Sequence, residues 1–166
     1  MSAFVIDAFE ICRSNGHREG VTPVAEMSRL NKDCADHSGE VSWAVDGATS
    51  KQGYPQLTVS VSGTVQLMCQ RCLTPYAFEM DSSTVLVLGK DDQHADEIEE
   101  VLDDESIDVI VGSRSTDIRD LIEDEALLAL PQVPKHDACP DTKLLDVLKS
   151  EKPSPFAGLK DLKTEQ

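Results

Sequence analysis

Residues 57–69 read Leu57-Thr58-Val59-Ser60-Val61-Ser62-Gly63-Thr64-Val65-Gln66-Leu67-Met68-Cys69, and their apolar side chains recur at every second position. Leu57, Val59, Val61, Val65 and Leu67 share one face, and Thr58, Ser60, Ser62, Thr64 and Gln66 the other. A period of two is the mark of a half-buried β-strand, because successive side chains point to opposite faces of a pleated chain. Gly63 falls on the apolar face and suggests a bend or bulge. Upstream, Val41, Trp43 and Val45 alternate with Ser42, Ala44 and Asp46, with Gly47 and the Gly53 to Pro55 stretch as the turn between the strands. Downstream, Tyr76, Phe78 and Met80 alternate, Asp81-Ser82-Ser83 breaks the pattern, and Val85 to Leu88 resumes it. These strands form an antiparallel meander with residues 69–74 at a hairpin tip.

Farther out, Ile107 to Val111 reads as a fourth strand, and Phe4 to Cys12 as a further one with poor alternation. Asp117 can cap a helix over 118–130 that Pro131 stops. Ile118, Leu121, Ile122 and Ala129 make its apolar stripe, and Glu125 falls on that stripe. A carboxylate there needs either a wet helix edge or a cationic partner, for which Arg71 is the candidate. The expected fold is therefore α+β: a strongly curved antiparallel sheet or small open barrel on strands around 41–47, 57–69, 74–88 and 107–111, covered by one main helix. One domain spans 1–140, with an acidic loop at about 90–106, and 141–166 form a loosely packed peripheral C-terminal tail marked by Pro153 and Pro155, with short helices around 144–148 and 156–162.

Of the 166 residues, 31 are Asp or Glu and 15 are Lys or Arg, a formal net charge of −16. Nucleic-acid backbones are bound by clustered Lys and Arg that displace counterions, so this balance argues against a non-specific nucleic-acid binder and for cationic partners. The acid is concentrated: residues 91–125 carry 15 of the carboxylates against Arg114 and Arg119 alone. No apolar run approaches the roughly 20 residues that cross a bilayer, and no basic leader precedes Asp7 and Glu10, so neither a membrane span nor secretion is expected. Five cysteines, an odd number, do not read as a disulfide framework and suggest reduced thiols in the cytoplasm.

Cys69-Gln70-Arg71-Cys72 is the one motif with chemistry of its own. Two thiolates three positions apart on a turn can hold half of a tetrahedral zinc site, and His136 and Cys139 are the natural second pair. The alternatives are unligated cysteines and a redox pair, although redox pairs sit at helix N-termini and here Leu73-Thr74-Pro75 and a strand follow. No phosphate-binding glycine loop, nucleophile elbow or His-Glu-x-x-His motif occurs, and a small-molecule substrate is not expected.

The string Val65-Gln66-Leu67-Met68-Cys69-Gln70-Arg71-Cys72-Leu73, the run Asp117 to Pro131, then Val133-Pro134-Lys135-His136-Asp137 with Cys139, and finally Lys152 to Leu159 follow one another in a familiar order. Together they resemble the YceD family of large ribosomal RNA subunit accumulation proteins, from about residue 40 to the end. The positions that match the family's pattern are Cys69, Arg71, Cys72, Glu125, Pro131, His136 and Cys139. The resemblance implies a non-catalytic bacterial cytoplasmic protein needed for synthesis, processing or stability of the 23S ribosomal RNA. Combined with the charge, it points to an assembly factor whose acidic segment engages a basic ribosomal protein or assembly partner. The alternative is direct binding of 23S RNA through a local basic patch of Arg13, Arg18, Arg29, Lys32 and Arg71, and Arg71 and Glu125 are the expected partner- or RNA-binding positions.

Overall fold

The computed structural model describes residues 4–104 and 107–140. The tail 141–166, with its expected helices, lies outside the described residues. A two-residue strand β1 (Val5–Ile6) leads into helix α1 (Ala8–Arg13), whose N-cap Asp7 accepts from the backbone N–H of Phe9 and Glu10. Then come β2 (His17–Pro23), the four-residue helix α2 (Leu30–Asp33), β3 (Glu40–Thr49), β4 (Pro55–Met68) and β5 (Pro75–Gly89). Helix α3 (Asp92–Leu102), β6 (Asp108–Val111), β7 (Thr116–Asp117) and α4 (Ile118–Leu128) complete the fold.

β2 to β6 form one open five-stranded sheet in sequence order, antiparallel except that β6 runs parallel to β5; β1 and β7 pair separately. The alternation of 57–69 places Leu57, Val59, Val61, Val65 and Leu67 in the core, opposite Val41, Trp43 and Val45 of β3. Each such side chain, fully buried, contributes on the order of 1.5–3 kcal/mol of transfer free energy. α1 supplies Ala8, Ile11 and Cys12 to the same core, and α4 supplies Ile118, Ile122 and Ala126.

Several expectations are corrected. Most of the acidic loop expected at about 90–106 is helix, since α3 spans Asp92–Leu102. Asp91 caps α3 by accepting the N–H of His94, and Ala95 and Ile98 are buried. Two buried apolar residues at helical spacing seat a helix whose exposed surface is mostly acid. α3 packs beside the odd-numbered residues of β5, which explains why Leu86, Val87, Leu88 and Gly89 are all buried: this end of the strand is covered on both faces. The chain is thus covered by more than one main helix, and the sheet is not a closed barrel. The fourth strand is parallel to its neighbour because the α3 crossover returns it to the same end of the sheet.

The polar run Asp81-Ser82-Ser83 does not interrupt β5, since Ser82 pairs with Val61 and Ser83 with Ser60. Register runs through Gly63 without a bulge, and a Cβ there would lie 2.4 Å from the carbonyl oxygen of Glu40. Gly47 is a paired strand residue, and the turn is made by Ser50 to Tyr54. Phe4 to Cys12 is mostly helix, while β2, with its weak alternation, goes unannounced in the sequence. α4 ends at Leu128, two residues short of the expected boundary.

Candidate metal centre

β4 and β5 are joined by a tight tip in which the N–H of Leu73 bonds to the carbonyl of Cys69 (2.9 Å) and the N–H of Cys69 to the carbonyl of Thr74 (3.1 Å). Leu73 takes a left-handed backbone, φ 57°. The segment after α4 crosses back over this tip, anchored by the N–H of Gln70 on the carbonyl of Pro134 at 2.9 Å. The result brings Cys69, Cys72, His136 and Cys139 together, with their ligand atoms all within 4.8 Å of one another. Cys69 and Cys72 are buried, His136 and Cys139 half-buried.

The spacing suits a tetrahedral ion. With Zn–S near 2.3 Å and Zn–N near 2.0 Å, tetrahedral edges should be about 3.8 Å between sulfurs and about 3.6 Å between sulfur and nitrogen. Sγ of Cys69 lies 3.9 Å from Sγ of Cys139, and Sγ of Cys72 lies 3.3 Å from Nδ1 of His136. A sulfur–sulfur distance of 3.9 Å is far from a disulfide bond. The donor set, three soft sulfurs and an imidazole, is the chemistry zinc prefers in structural sites.

The surroundings already favour thiolate at Cys69. Burial pushes the Cys69 thiol up, but the N–H groups of Cys72, His136 and Arg71, with the His136 ring, outweigh it and bring it down to about 5. The Cys139 thiol stands above its ordinary value, chiefly through burial and with the neighbouring cysteines adding to it, despite the pull of Arg71. Arg71 donates from Nε to Sγ of Cys139 (2.9 Å) and from Nη2 to the carbonyl of His136 (2.8 Å). Three thiolates and one divalent ion sum to −1, and the guanidinium cancels that charge. The ring of His136 is held from its other side by Tyr76, with centroids 4.9 Å apart.

Arg71 is therefore committed to this centre and does not meet Glu125. Glu125 is 3 % exposed, which removes the wet-edge reading as well, and its Oε1 accepts from the hydroxyl of Ser82. The basic residues proposed for RNA are partly spent. Arg13 pairs with Glu10, and Arg29 with Glu123 and Asp124. Sequence reasoning missed Glu123, which is buried and accepts the N–H of Arg29 (2.6 Å), the N–H of Leu30 (3.0 Å) and Nε of Arg29 (3.1 Å). Burial raises its carboxyl, and these donors outweigh that and hold it below the usual range.

Residues 57–163 match the family model described as large ribosomal RNA subunit accumulation protein YceD. The chain belongs to the YceD family. A relative from Haemophilus influenzae bearing that same name is 31% identical over 121 residues, which cover 66% of this chain and 68% of the relative. No solved structure matches this chain significantly. The YceD match begins at β4 and takes in all four residues of the candidate centre. The family name ties the chain to accumulation of large-subunit ribosomal RNA, and among the described residues no helix is long and apolar enough to cross a membrane.

Proposed function

We propose that this chain is a non-catalytic cytoplasmic ribosome biogenesis factor that supports 23S ribosomal RNA by holding a basic large-subunit protein or assembly partner on α3, with a structural zinc ion at Cys69, Cys72, His136 and Cys139. The observation that carries this reading is the surface of α3. Asp92, Asp96, Glu97, Glu99 and Glu100 are all exposed along it, and the helix contains no Lys or Arg. A rigid row of carboxylates costs less conformational entropy to dock than a mobile acidic loop would, and its field speeds association with a cationic partner.

A direct grip on RNA has less to work with. Of Arg13, Arg18, Arg29, Lys32 and Arg71, only Arg18 and Lys32 make no ion pair or sulfur contact among the described residues. The reading is tested by mixing the purified chain with basic large-subunit proteins at low and high salt. Binding should weaken steeply with salt, because exposed charges are screened beyond about 8 Å at physiological ionic strength. It should also be lost in the triple variant Asp96→Lys, Glu97→Lys, Glu100→Lys. Binding that ignores salt, or survives the triple variant, refutes it. A gel shift with 23S fragments that depends on Arg18 and Lys32 would favour the RNA reading instead.

A further inference from the structure

Away from the metal centre, the β5–α3–β6 unit places the carboxyl ends of two parallel strands side by side, tied by the N–H of Gly112 on the carbonyl of Gly89 at 2.9 Å. A cavity of about 570 Å³ opens there, within the range of small-molecule sites. Its lining includes Lys90, just past β5, His94 from the first turn of α3, and Arg114, just past β6, together with Phe9, Pro55 and Leu88.

Lys90, His94 and Arg114 gather around one cavity in a chain of charge −16. Lys90 and Arg114 make no ion pair among the described residues. Asp7, the acidic residue lining the cavity, is engaged in capping α1, where its Oδ1 accepts two N–H groups at 3.0 Å. Arg13, also on the rim, is shared with Glu10. His94 accepts the N–H of Lys90 on Nδ1 (3.2 Å), which leaves Nε2 to carry its proton as a donor. The N-terminus of α3 is already capped by Asp91, so any anion must be recognised by side chains. Phe9 is seated by Gly112, where a Cβ would meet the ring at 2.6 Å.

We propose that this cavity binds a nucleoside phosphate, with the phosphate held by Lys90, His94 and Arg114 and the base against Phe9, Pro55 and Leu88. A planar carboxylate is satisfied by one guanidinium fork. A tetrahedral, near-dianionic phosphate takes donors from several directions, as three side chains from three segments supply. The apolar lining selects for an organic body over inorganic phosphate. Its source is a free nucleotide or the phosphorylated end of an RNA chain, and neither the carboxylates of α3 nor the metal centre takes part.

Calorimetry on the full chain tests the proposal with AMP, UMP, adenosine and inorganic phosphate. AMP and UMP should bind, and the double variant Lys90→Gln, Arg114→Gln should weaken them by about tenfold or more, equivalent to about 1.4 kcal/mol, while Lys32→Gln changes nothing. The double variant's thermal midpoint, measured alongside, should match the parent. Adenosine or inorganic phosphate binding as tightly as AMP, AMP binding that survives the double variant, or no binding of either nucleotide at millimolar concentration would overturn the proposal. In competition, displacement of AMP by a short 5′-phosphorylated RNA but not its 5′-hydroxyl twin supports the site with an RNA end as source. Displacement by neither supports it with a free nucleotide, and displacement by both equally overturns it.

Discussion

Glu123→Ala should be among the most damaging single substitutions in the described chain, although the residue touches neither the sulfur cluster nor the acidic surface. Its carboxylate joins α4 to the start of α2 by accepting the N–H groups of Arg29 and Leu30 and Nε of Arg29. Leu30 is fully buried, so its N–H is left without a partner at a cost of about 1–3 kcal/mol. The side chain of Arg29 is 42% exposed, so solvent screening holds that ion pair to roughly 1 kcal/mol or less. Together these give a loss of about 1–4 kcal/mol, read by urea unfolding, and a midpoint lowered by roughly 2–16 °C at the 2–4 °C per kcal/mol of a chain this size. Glu123→Gln keeps an acceptor for both backbone N–H groups but loses the charge and the acceptor for Nε of Arg29, so it should cost about 1 kcal/mol. The two variants should also differ in acid. The Glu123 carboxyl lies below its ordinary value in the folded state, so its contribution is fully present above about pH 4.5 and is lost as pH falls through the folded value. Glu123→Gln should flatten that part of the stability profile. A Glu123→Ala variant within about 0.5 kcal/mol of the parent, the range of an ordinary surface change, would refute the argument.

Metal analysis should find one zinc per chain, and Cys72→Ser should abolish it; with free zinc a thousandfold above Kd in the parent, chelation should remove about 4 kcal/mol of stability, seen as a fall in thermal midpoint that the variant no longer shows. Arg71→Gln removes the donor to Cys139 Sγ and the counter-charge of the centre, and should weaken zinc about 10–100-fold in competition with a chromophoric chelator. Gly47→Ala would put a Cβ 2.2 Å from the carbonyl oxygen of Ile11, a backbone atom that cannot swing away, and should cost about 1–3 kcal/mol or more. Gly53→Ala meets nothing within 4 Å but sits at φ 88°, so it should cost about 1 kcal/mol, and urea unfolding of the pair separates crowding from backbone strain.

What the sequence displayed depended on how many signals each segment carried. β4 announced itself because only one of its faces is buried, so its alternation was uninterrupted from Leu57 to Leu67. The last turn of β5 lost its alternation because α3 covers the second face, and four successive buried residues look the same in a strand as in a helix. α3 was hidden by composition: Ala95 and Ile98 are spaced for a helix, but five carboxylates on the outer face outnumber them. Asp81-Ser82-Ser83 and Glu125 looked like two separate defects, a broken strand and a charged residue on an apolar stripe. They are one feature, in which Ser82 satisfies the carboxylate that α4 buries above it. The four candidate ligands were legible from residue type and from the three-residue spacing of Cys69 to Cys72 and His136 to Cys139. Arg71's place among them was not, because its partners, the His136 carbonyl and Cys139 Sγ, are 65 and 68 residues away in sequence.

The surplus negative charge is sorted by these contacts. Arg29 is spent on Glu123 and Asp124, Arg119 on Asp117, and Arg71 on a sulfur cluster whose charge it balances. Each of these cations stabilises a contact that the fold needs, so none is available to offset α3. The helix therefore presents its five exposed carboxylates uncompensated by any residue of its own. β5 separates the two charge systems, since Cys72 precedes its first residue by three positions and α3 begins three positions after its last. Fifteen residues at about 3.3 Å each make a contour near 50 Å, of which α3 recovers about 16 Å by folding back along the crossover. At that separation salt screens one system from the other. An ion held at the candidate centre would fix the hairpin tip without drawing on the field of α3, and the cationic partner proposed for α3 would meet an acidic surface whose strength does not depend on whether the sulfurs hold an ion.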